Sequence, residues 1–346
     1  MSSQLHQKHQ TYFKDTTVYK VNTSSHSGIA VVTGARTGLG RAIAAQLASL
    51  ACIDSVVAVS RRMTAQDCSY HPKIFPLAAD ITNAKDRAKI VATVEKLCGC
   101  GSRDPNTSAA SDDRRRTQSK QLRYLVHNAA TIEPLKPVLD ITPEELRYVV
   151  SVNCEAPMLL SMALAPYLRP LLQPPDRPQK GRILHVGSGA AHKAPPIGWG
   201  CYGISKAALF QCARVLQNEL DEVVVGSFQP GIMDTPMQRQ VRASPSAESM
   251  LLPLGESFAG AKTEGENKSN TLSPSSLATS GSAASPPPKN KPDSPKNVAM
   301  FVEYLLTGTS DADFAIGLTN EEEGRKEHKI RDPKLFPRWI LPENLP

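Results

Sequence analysis

A tyrosine and a lysine, Tyr202 and Lys206, stand four residues apart in a segment predicted to be helical, so their side chains share one face. A free phenol, with a pKa of about 10, is too weak an acid to donate a proton efficiently at neutral pH. An adjacent ammonium stabilises the phenolate and lowers that pKa, which would let Tyr202 protonate a carbonyl oxygen as its carbon receives hydride. Taken alone, this spacing occurs by chance in many helices and favours an exposed pair on a helix surface.

Two more polar residues are placed for the same chemistry. Ser188 follows a predicted strand and brings a hydroxyl that can donate to the same substrate oxygen, although serines at strand ends also form turns. Asn153 interrupts an apolar helix that is predicted to begin near Thr142 and Pro143. Its amide is expected to bind backbone or water.

A glycine-rich loop at residues 33–40 (TGARTGLG) joins a predicted strand to a predicted helix. At such a place only glycine, here Gly34, Gly38 and Gly40, lets the backbone approach a pyrophosphate at a helix N-terminus. A tight strand-to-helix turn without a ligand would use the same residues. The loop therefore predicts a dinucleotide site only in combination with the rest of the chain.

Positive charge at the end of the second predicted strand indicates which dinucleotide the protein would bind. Arg61 and Arg62 stand where an acidic residue would bind the ribose 2′-hydroxyl of NAD, and Arg36 in the glycine loop adds a third cation. Arginine favours a 2′-phosphate, so the sequence predicts NADPH/NADP rather than NADH. Asp80 after the third strand is either an acceptor for the adenine amino group or a helix cap near Asn83.

Short apolar runs alternate with helical stretches along most of the chain, which is typical of an α/β protein with a parallel sheet covered on both faces. We therefore predict a doubly wound parallel sheet (Rossmann fold) in a single domain with two low-complexity insertions. The predicted strands are 28–33, 56–59, 74–77, 124–127, 183–186 and 223–228, with a possible last strand at 313–317. The predicted divisions are a flexible leader at 1–27, the catalytic domain at 28–242 with a disordered insertion at 99–121, a low-complexity insertion at 243–296, a last helix and strand at 297–320, and a C-terminal tail at 321–346.

Composition excludes several classes of protein. The 346 residues carry a net charge of +7, but aromatic residues make up only 5% and the basic residues are dispersed, so we expect no nucleic-acid partner. The compact run at residues 114–116 (RRR) fits a solvated loop better than a nucleic-acid contact. No run of about 18 apolar residues and no secretory core are present, which predicts a cytoplasmic protein without a membrane partner. The seven cysteines lack paired or metal-ligand spacing, which predicts reduced thiols and no metal site.

Taken jointly, TGARTGLG, HNAA (127–130), YGISK (202–206) and PGIMDT (230–235) resemble the classical short-chain dehydrogenase/reductase family over roughly residues 28–242 and 296–318. The resemblance implies an active site of Ser188, Tyr202, Lys206 and Asn153, with Lys206 also holding the nicotinamide ribose. The expected cofactor-binding residues are Gly34, Arg36, Thr37, Gly38, Leu39, Gly40, Arg61, Arg62, Asp80, Asn128, Ala129, Tyr202, Lys206, Pro230, Gly231, Ile232 and Thr235.

Within that family, the Gly198–Trp199 pair before Tyr202 resembles the sepiapterin-reductase-like carbonyl reductases. Three features depart from the family pattern. Ser188 lies fourteen rather than thirteen positions before Tyr202, so an extra residue must be absorbed near Pro195 and Pro196. Arg36 comes one place early in the glycine loop, and HNAA replaces the usual Asn-Asn-Ala-Gly.

We therefore expect NADPH-dependent, reversible reduction of a ketone or aldehyde, with a pterin or a vicinal dicarbonyl as candidate substrate. Trp199, Met233 and Met237 are the predicted substrate contacts, and Asp313 is the one residue comparable to a pterin-anchoring aspartate. The alternative is a catalytically silent NAD(P)-sensing protein of the same fold. The resemblance also implies a homodimer or homotetramer, paired through the helices that carry Asn153 and Tyr202.

Overall fold

The computed structural model describes residues 28–99, 120–168, 180–244, 293–315 and 328–329. The predicted leader, most of both predicted insertions and most of the predicted tail lie outside these ranges. The strands are β1 (Gly28–Thr33), β2 (Ile53–Ser60), β3 (Ile74–Ala78), β4 (Gln121–His127), β5 (Gly181–Val186), β6 (Val223–Gln229) and β7 (His328–Lys329). The helices are α1 (Gly38–Ala48), α2 (Ala84–Cys98), α3 (Pro143–Val150), α4 (Ala156–Leu168), α5 (Gly200–Glu219), α6 (Pro236–Ala243), α7 (Pro295–Gly308) and α8 (Asp311–Phe314).

The seven strands form one parallel sheet in the order β3-β2-β1-β4-β5-β6-β7. The strand order reverses between β1 and β4, so crossovers from these two strands leave in opposite directions and open a crevice at their carboxyl ends. This confirms the predicted doubly wound Rossmann fold.

Helices cover both faces of the sheet, as a buried parallel sheet requires. Alternate residues of β1 point to opposite faces: Ala30 and Val32 join the core under α1 and α7, whereas Ile29 and Val31 join the core under α2, α4 and α5. All of these side chains are fully buried.

Short polar residues fix the starts of the helices around the crevice. Thr142 and Glu145 form a reciprocal capping box at the start of α3, with Pro143 in the first turn. Thr235 caps α6 with its hydroxyl, which accepts from the Gln238 amide. The predicted helix start near Thr142 is thus confirmed.

The C-terminal part of the described chain differs from the predicted arrangement. A short helix, α8, occupies Asp311–Phe314, where the sequence suggested a strand at 313–317, and β7 lies in the predicted tail, at His328–Lys329. Ser310 caps α8 by accepting from the Asp313 amide. A serine followed by two aspartates in the next three positions is typical of a helix start, which explains the difference.

The stretch Pro143–Leu168 is long and apolar enough to cross a membrane by length and composition. Half of it is buried inside the fold, and Leu160, Leu164 and Leu168 of α4 belong to the core on one face of the sheet. These contacts are those of a core helix in a globular domain.

Candidate active site

A cavity of about 1070 Å³ opens at the carboxyl ends of the strands, between the glycine loop, the start of α5 and the segment after β6. Of the sequence-predicted site residues, Gly40, Asn153 and Asp313 do not line it. The other predicted contacts, from the glycine loop to Met237, therefore meet on one surface. Ligands of open α/β sheets bind in this position.

The glycine loop is fastened to the end of β4 by a small hydrogen-bond network. The Thr33 hydroxyl accepts from the backbone amides of Asn128 and Ala129, at 3.1 Å each, and the Asn128 amide group donates to the carbonyls of Thr33 and Gly34, at 3.0 and 3.2 Å. A Cβ on Gly40 would lie within 2.3 Å of the Gly34 carbonyl oxygen. Asn128 thus holds the loop by hydrogen bonds, and the missing side chain of Gly40 lets α1 approach the Gly34 carbonyl. Gly40 itself does not line the cavity.

Gly34 and Gly38 adopt left-handed backbone conformations, with φ of 67° and 56°. Residues other than glycine rarely adopt such values, so these two positions turn the chain from β1 into α1 and leave the loop backbone along the cavity wall. Thr37 begins α1 without a side-chain cap bond. The first backbone amides of α1 therefore have no bond from the Thr37 side chain. They lie at the N-terminus of the helix, beside the cavity, where backbone amides bind anions in other proteins.

Two arginines that line the cavity, Arg36 and Arg61, each contact a side chain that the sequence pattern does not indicate. Arg36 Nε lies 3.3 Å from a carboxylate oxygen of Asp67, and Arg61 donates to the Tyr148 hydroxyl at 2.8 Å. Hydrogen bonds from Thr64, together with the charge of Arg36, lower the pKa of Asp67. These contacts join residues 31 and 87 positions apart, and no local pattern signals them.

Asp80 lines the cavity and is not the cap of α2. Asn83 caps that helix, since its side chain accepts from the amides of Lys85 and Asp86. One carboxylate oxygen of Asp80 accepts from the amide and the hydroxyl of Thr82, at 2.9 and 2.7 Å. Asp80 is therefore not a helix cap, and the alternative that remains for it is an acceptor that faces the cavity.

Tyr202 and Lys206 lie on the face of α5 that is turned to the cavity, and both are largely buried, with 7% and 3% of their surface exposed. The Lys206 ammonium donates to the Val186 carbonyl at 2.8 Å and lies 5.8 Å from the centre of the Tyr202 ring. Ser188 follows the same strand by two residues and lines the same cavity. The surface-pair alternative for Tyr202 and Lys206 is therefore wrong.

Asn153 lies behind the cavity in a π-helical turn, Ser151–Glu155, between α3 and α4. Its side-chain oxygen accepts from the Thr131 amide at 2.8 Å, and its nitrogen donates to the Thr131 carbonyl and the Ser205 hydroxyl, at 2.8 and 2.9 Å. The Ser205 hydroxyl donates in turn to the Tyr202 carbonyl at 2.8 Å. Asn153 thus binds backbone, as expected, and connects the loop after β4 to α5.

Apolar side chains surround Tyr202. Trp199 meets the tyrosine ring edge to face with centroids 5.7 Å apart, and Ile132, Val241 and Met237 complete the cluster. The chain turns into α5 through Gly198, which has a φ of 89°, near the place where the extra residue before Tyr202 was expected. An aromatic, apolar wall therefore stands beside the phenol.

Both described ends of the second predicted insertion lie next to residues that line the cavity. Ser244 follows α6 directly, and the Asp293 amide donates to the Ile232 carbonyl at 3.0 Å, next to the cavity residue Met233. Asp313, by contrast, is not among the cavity residues, because α8 packs against β6 with Phe314 touching Gly226. The structure thus gives Asp313 no place in the cavity.

Comparison with known proteins identifies the family. A family profile described as short chain dehydrogenase matches residues 103–246. The benzil reductase ((S)-benzoin forming) of Bacillus subtilis (strain 168) is 31% identical over 218 residues, which cover 62% of this chain and 78% of that protein. The protein belongs to the short-chain dehydrogenase/reductase family. It is accordingly an oxidoreductase acting on CH–OH and C=O groups.

Two further proteins illustrate the range of similarity. The sepiapterin reductase of Meriones unguiculatus is 27% identical over 69% of this chain and 85% of its own length. Among solved structures, the KRED1-Pglu enzyme is 28% identical, with a TM-score of 0.52 over 66% of this chain and 87% of that one. The predicted family resemblance is thereby confirmed.

Proposed function

We propose that the protein is an NADPH-dependent ketone reductase whose preferred substrates are vicinal diketones of the benzil class. One observation carries this proposal: Ser188, Tyr202 and Lys206 share a single cavity with three arginines. That combination supplies a proton donor for a carbonyl and cationic partners for a 2′-phosphate.

The residues along the cavity fit a nicotinamide dinucleotide. The glycine loop exposes backbone next to the start of α1, Arg61 and Arg62 would hold the 2′-phosphate, and Lys206 would hold the nicotinamide ribose. The segment from Pro230 to Ile232, with Thr235, would contact the nicotinamide. When bound, NADPH would supply the hydride that the carbonyl carbon accepts.

The protein's own residues would manage the proton. Ser188 would donate a hydrogen bond to the carbonyl oxygen and orient it, and the Tyr202 hydroxyl would transfer its proton to that oxygen as the negative charge develops. The Lys206 ammonium, fixed by the Val186 carbonyl, would stabilise the phenolate until a solvent proton replaces the one transferred. Asn153 would act as a positioning residue, because it holds α5 through Ser205.

The choice of substrate class rests on the wall beside Tyr202. The side chains of this wall are apolar, and those of Trp199 and Met237 are large. Such a surface suits a substrate with aromatic groups flanking its carbonyl. The two named relatives reduce benzil and sepiapterin, according to their names, and in each of these compounds the ketone is attached directly to a ring. Asp313 offers a pterin no anchor here, which favours the diketone.

The test is NADPH oxidation, followed by absorbance, with purified full-length protein and benzil, sepiapterin and simple aldehydes as substrates. Tyr202→Phe is the matched variant, since it removes one hydroxyl and keeps the ring against Trp199. We expect turnover of benzil that this variant lowers by about 10²- to 10⁴-fold, the usual contribution of a general acid. Tight NADPH binding without turnover of any substrate would refute the proposal and favour the silent sensor.

A further inference from the structure

Two polar side chains line the catalytic cavity near Ser188 and have no role in the reaction described above. Lys193 lies on the loop that leads from Ser188 to α5, and Gln229 is the last residue of β6. Within the described parts of the chain, neither the Lys193 ammonium nor the Gln229 side-chain amide has a hydrogen-bond or ion-pair partner. Both groups are therefore available to a ligand in the cavity.

The loop that carries Lys193 is packed against the start of α5. A Cβ on Gly203, the neighbour of Tyr202, would lie 3.0 Å from Pro195 and 3.5 Å from the Ala190 carbonyl oxygen. These two loop residues flank Lys193 in the chain. The lysine thus enters the cavity from a loop that is anchored beside the catalytic phenol.

Gln229 reaches the same place from the neighbouring strand. Its side-chain oxygen lies 3.6 Å from the position of a Cβ on Gly189, the residue that follows Ser188. The strands β5 and β6 are direct neighbours in the sheet, so their carboxyl ends meet at this point. Lys193 and Gln229 therefore belong to the part of the cavity where the carbonyl group would be reduced.

The positive charge of Lys193 is not balanced within the described lining of the cavity. Asp80 carries the one carboxylate among those lining residues, and it follows β3. Four strand spacings separate β3 from β5, which corresponds to about 19 Å. A ligand near Ser188 that carries a negative charge would therefore supply the counter-charge that the lysine lacks.

We propose that Lys193 and Gln229 form a carboxylate subsite and that the protein also reduces aryl 2-oxo acids such as benzoylformate. This inference rests on the proposed function. Benzoylformate has the aryl ketone of benzil, with a carboxylate in place of the second benzoyl group. Its ring would pack against Trp199 and Met237, and its carboxylate, attached directly to the ketone carbon, would accept hydrogen bonds from Lys193 and Gln229.

The reaction is a balanced two-electron reduction. The ketone carbon of the acid accepts a hydride from NADPH, and the ketone oxygen accepts the proton of the Tyr202 hydroxyl. The carbonyl π bond is lost, and the products are a 2-hydroxy acid and NADP. A solvent proton then restores the Tyr202 hydroxyl, and the carboxylate stays unchanged throughout.

The subsite is tested by binding, with calorimetry on the full-length protein loaded with NADP, which cannot reduce a ketone. The matched ligands are benzoylformate and its methyl ester, which differ in charge and share the ring and the ketone. We expect the acid to bind about 10-fold more tightly than the ester. Lys193→Met, which keeps the length of the side chain and removes its charge, should abolish this preference, and Gln229→Leu should reduce it about threefold.

Two further variants show whether charge at this position is what matters. Lys193→Arg should retain the preference for the acid, because the cation remains. Lys85→Met should also retain it, because Lys85 is an exposed lysine of α2 that does not line the cavity. With NADPH, the wild-type protein should convert benzoylformate to mandelate, measured by chromatography.

An acid that binds no more tightly than its ester, or a Lys193→Met variant that weakens both ligands equally, would overturn the carboxylate subsite. Turnover of benzil without formation of mandelate would overturn the activity on 2-oxo acids and leave the proposed function intact. If neither ketone is reduced, the proposed function fails, and the binding preference still decides on the subsite.

Discussion

Two neighbouring histidines in the core make the stability of this protein depend on pH. His127 and His185 face each other across β4 and β5, with ring centroids 4.9 Å apart. His185 is fully buried, and neither of its ring nitrogens has a hydrogen-bond partner among the described residues. Burial and the charge of Lys206 lower the pKa of His185 to about 3, and burial lowers that of His127 as well.

Whether stability rises or falls with pH depends on which state, folded or unfolded, binds more protons. In the unfolded chain each histidine titrates with a pKa of about 6.5, whereas in the native state both stay neutral down to a much lower pH. The unfolded state therefore gains protons first as the pH falls, and the native state loses stability from about pH 6.5 toward the native pKa of His185, about 3. Between about pH 7 and about pH 5 each histidine contributes a loss of about 2 kcal/mol, or about 4 kcal/mol for the pair.

The perturbation is His185→Leu, which removes one titrating ring and its two unpaired nitrogens while keeping a similar volume. Urea unfolding at about pH 7 and about pH 5 should show that the variant loses about 2 kcal/mol less than the wild type over this interval. Ile183→Val, on the same strand and in the same buried layer, is the control. It should lower the free energy of unfolding by about 1 kcal/mol equally at both pH values.

An equal loss of stability in the wild type and His185→Leu would refute this reasoning. So would a native-state titration of the His185 ring between about pH 5 and about pH 8, observed by NMR.

Three further outcomes are expected. Gly40→Ala places a Cβ within 2.3 Å of the Gly34 carbonyl oxygen and should lower stability by about 1–3 kcal/mol in urea unfolding and weaken NADPH binding in fluorescence titration. Asn153→Ala leaves the backbone groups of Thr131 without their partner and should lower the free energy of unfolding by about 3 kcal/mol, with a fall in kcat. Arg61→Ala should raise the Kd for NADPH about 10-fold and leave that for NADH nearly unchanged, as measured by calorimetry.

Each of these outcomes has a result that would contradict it. A Gly40→Ala protein with wild-type stability would mean that the loop relaxes freely away from Asn128. Retention of full stability by Asn153→Ala would show that water replaces the amide without cost. Parallel weakening of NADPH and NADH by Arg61→Ala would indicate that this arginine does not distinguish the 2′-phosphate.

The sequence was informative wherever the signal is local. Buried strands are runs of apolar residues, and a glycine loop between strand and helix needs only neighbouring positions to be recognised, so the strands from β1 to β6 and most of the cavity lining were predictable. Local signals also misled: the segment at 313–317 has the apolar content of a strand, but the Ser310 cap starts helix α8 there.

The tertiary structure alone decided the contacts between segments far apart in the chain. Asn153 reaches Thr131 and Ser205 only because the π-helical turn packs against both the loop after β4 and α5. The distance between Cys154 and Cys212, 58 positions apart, likewise depends on how that turn packs on α5. Sequence patterns report which face of an element is buried, whereas the partner across that face is fixed by strand register and helix packing.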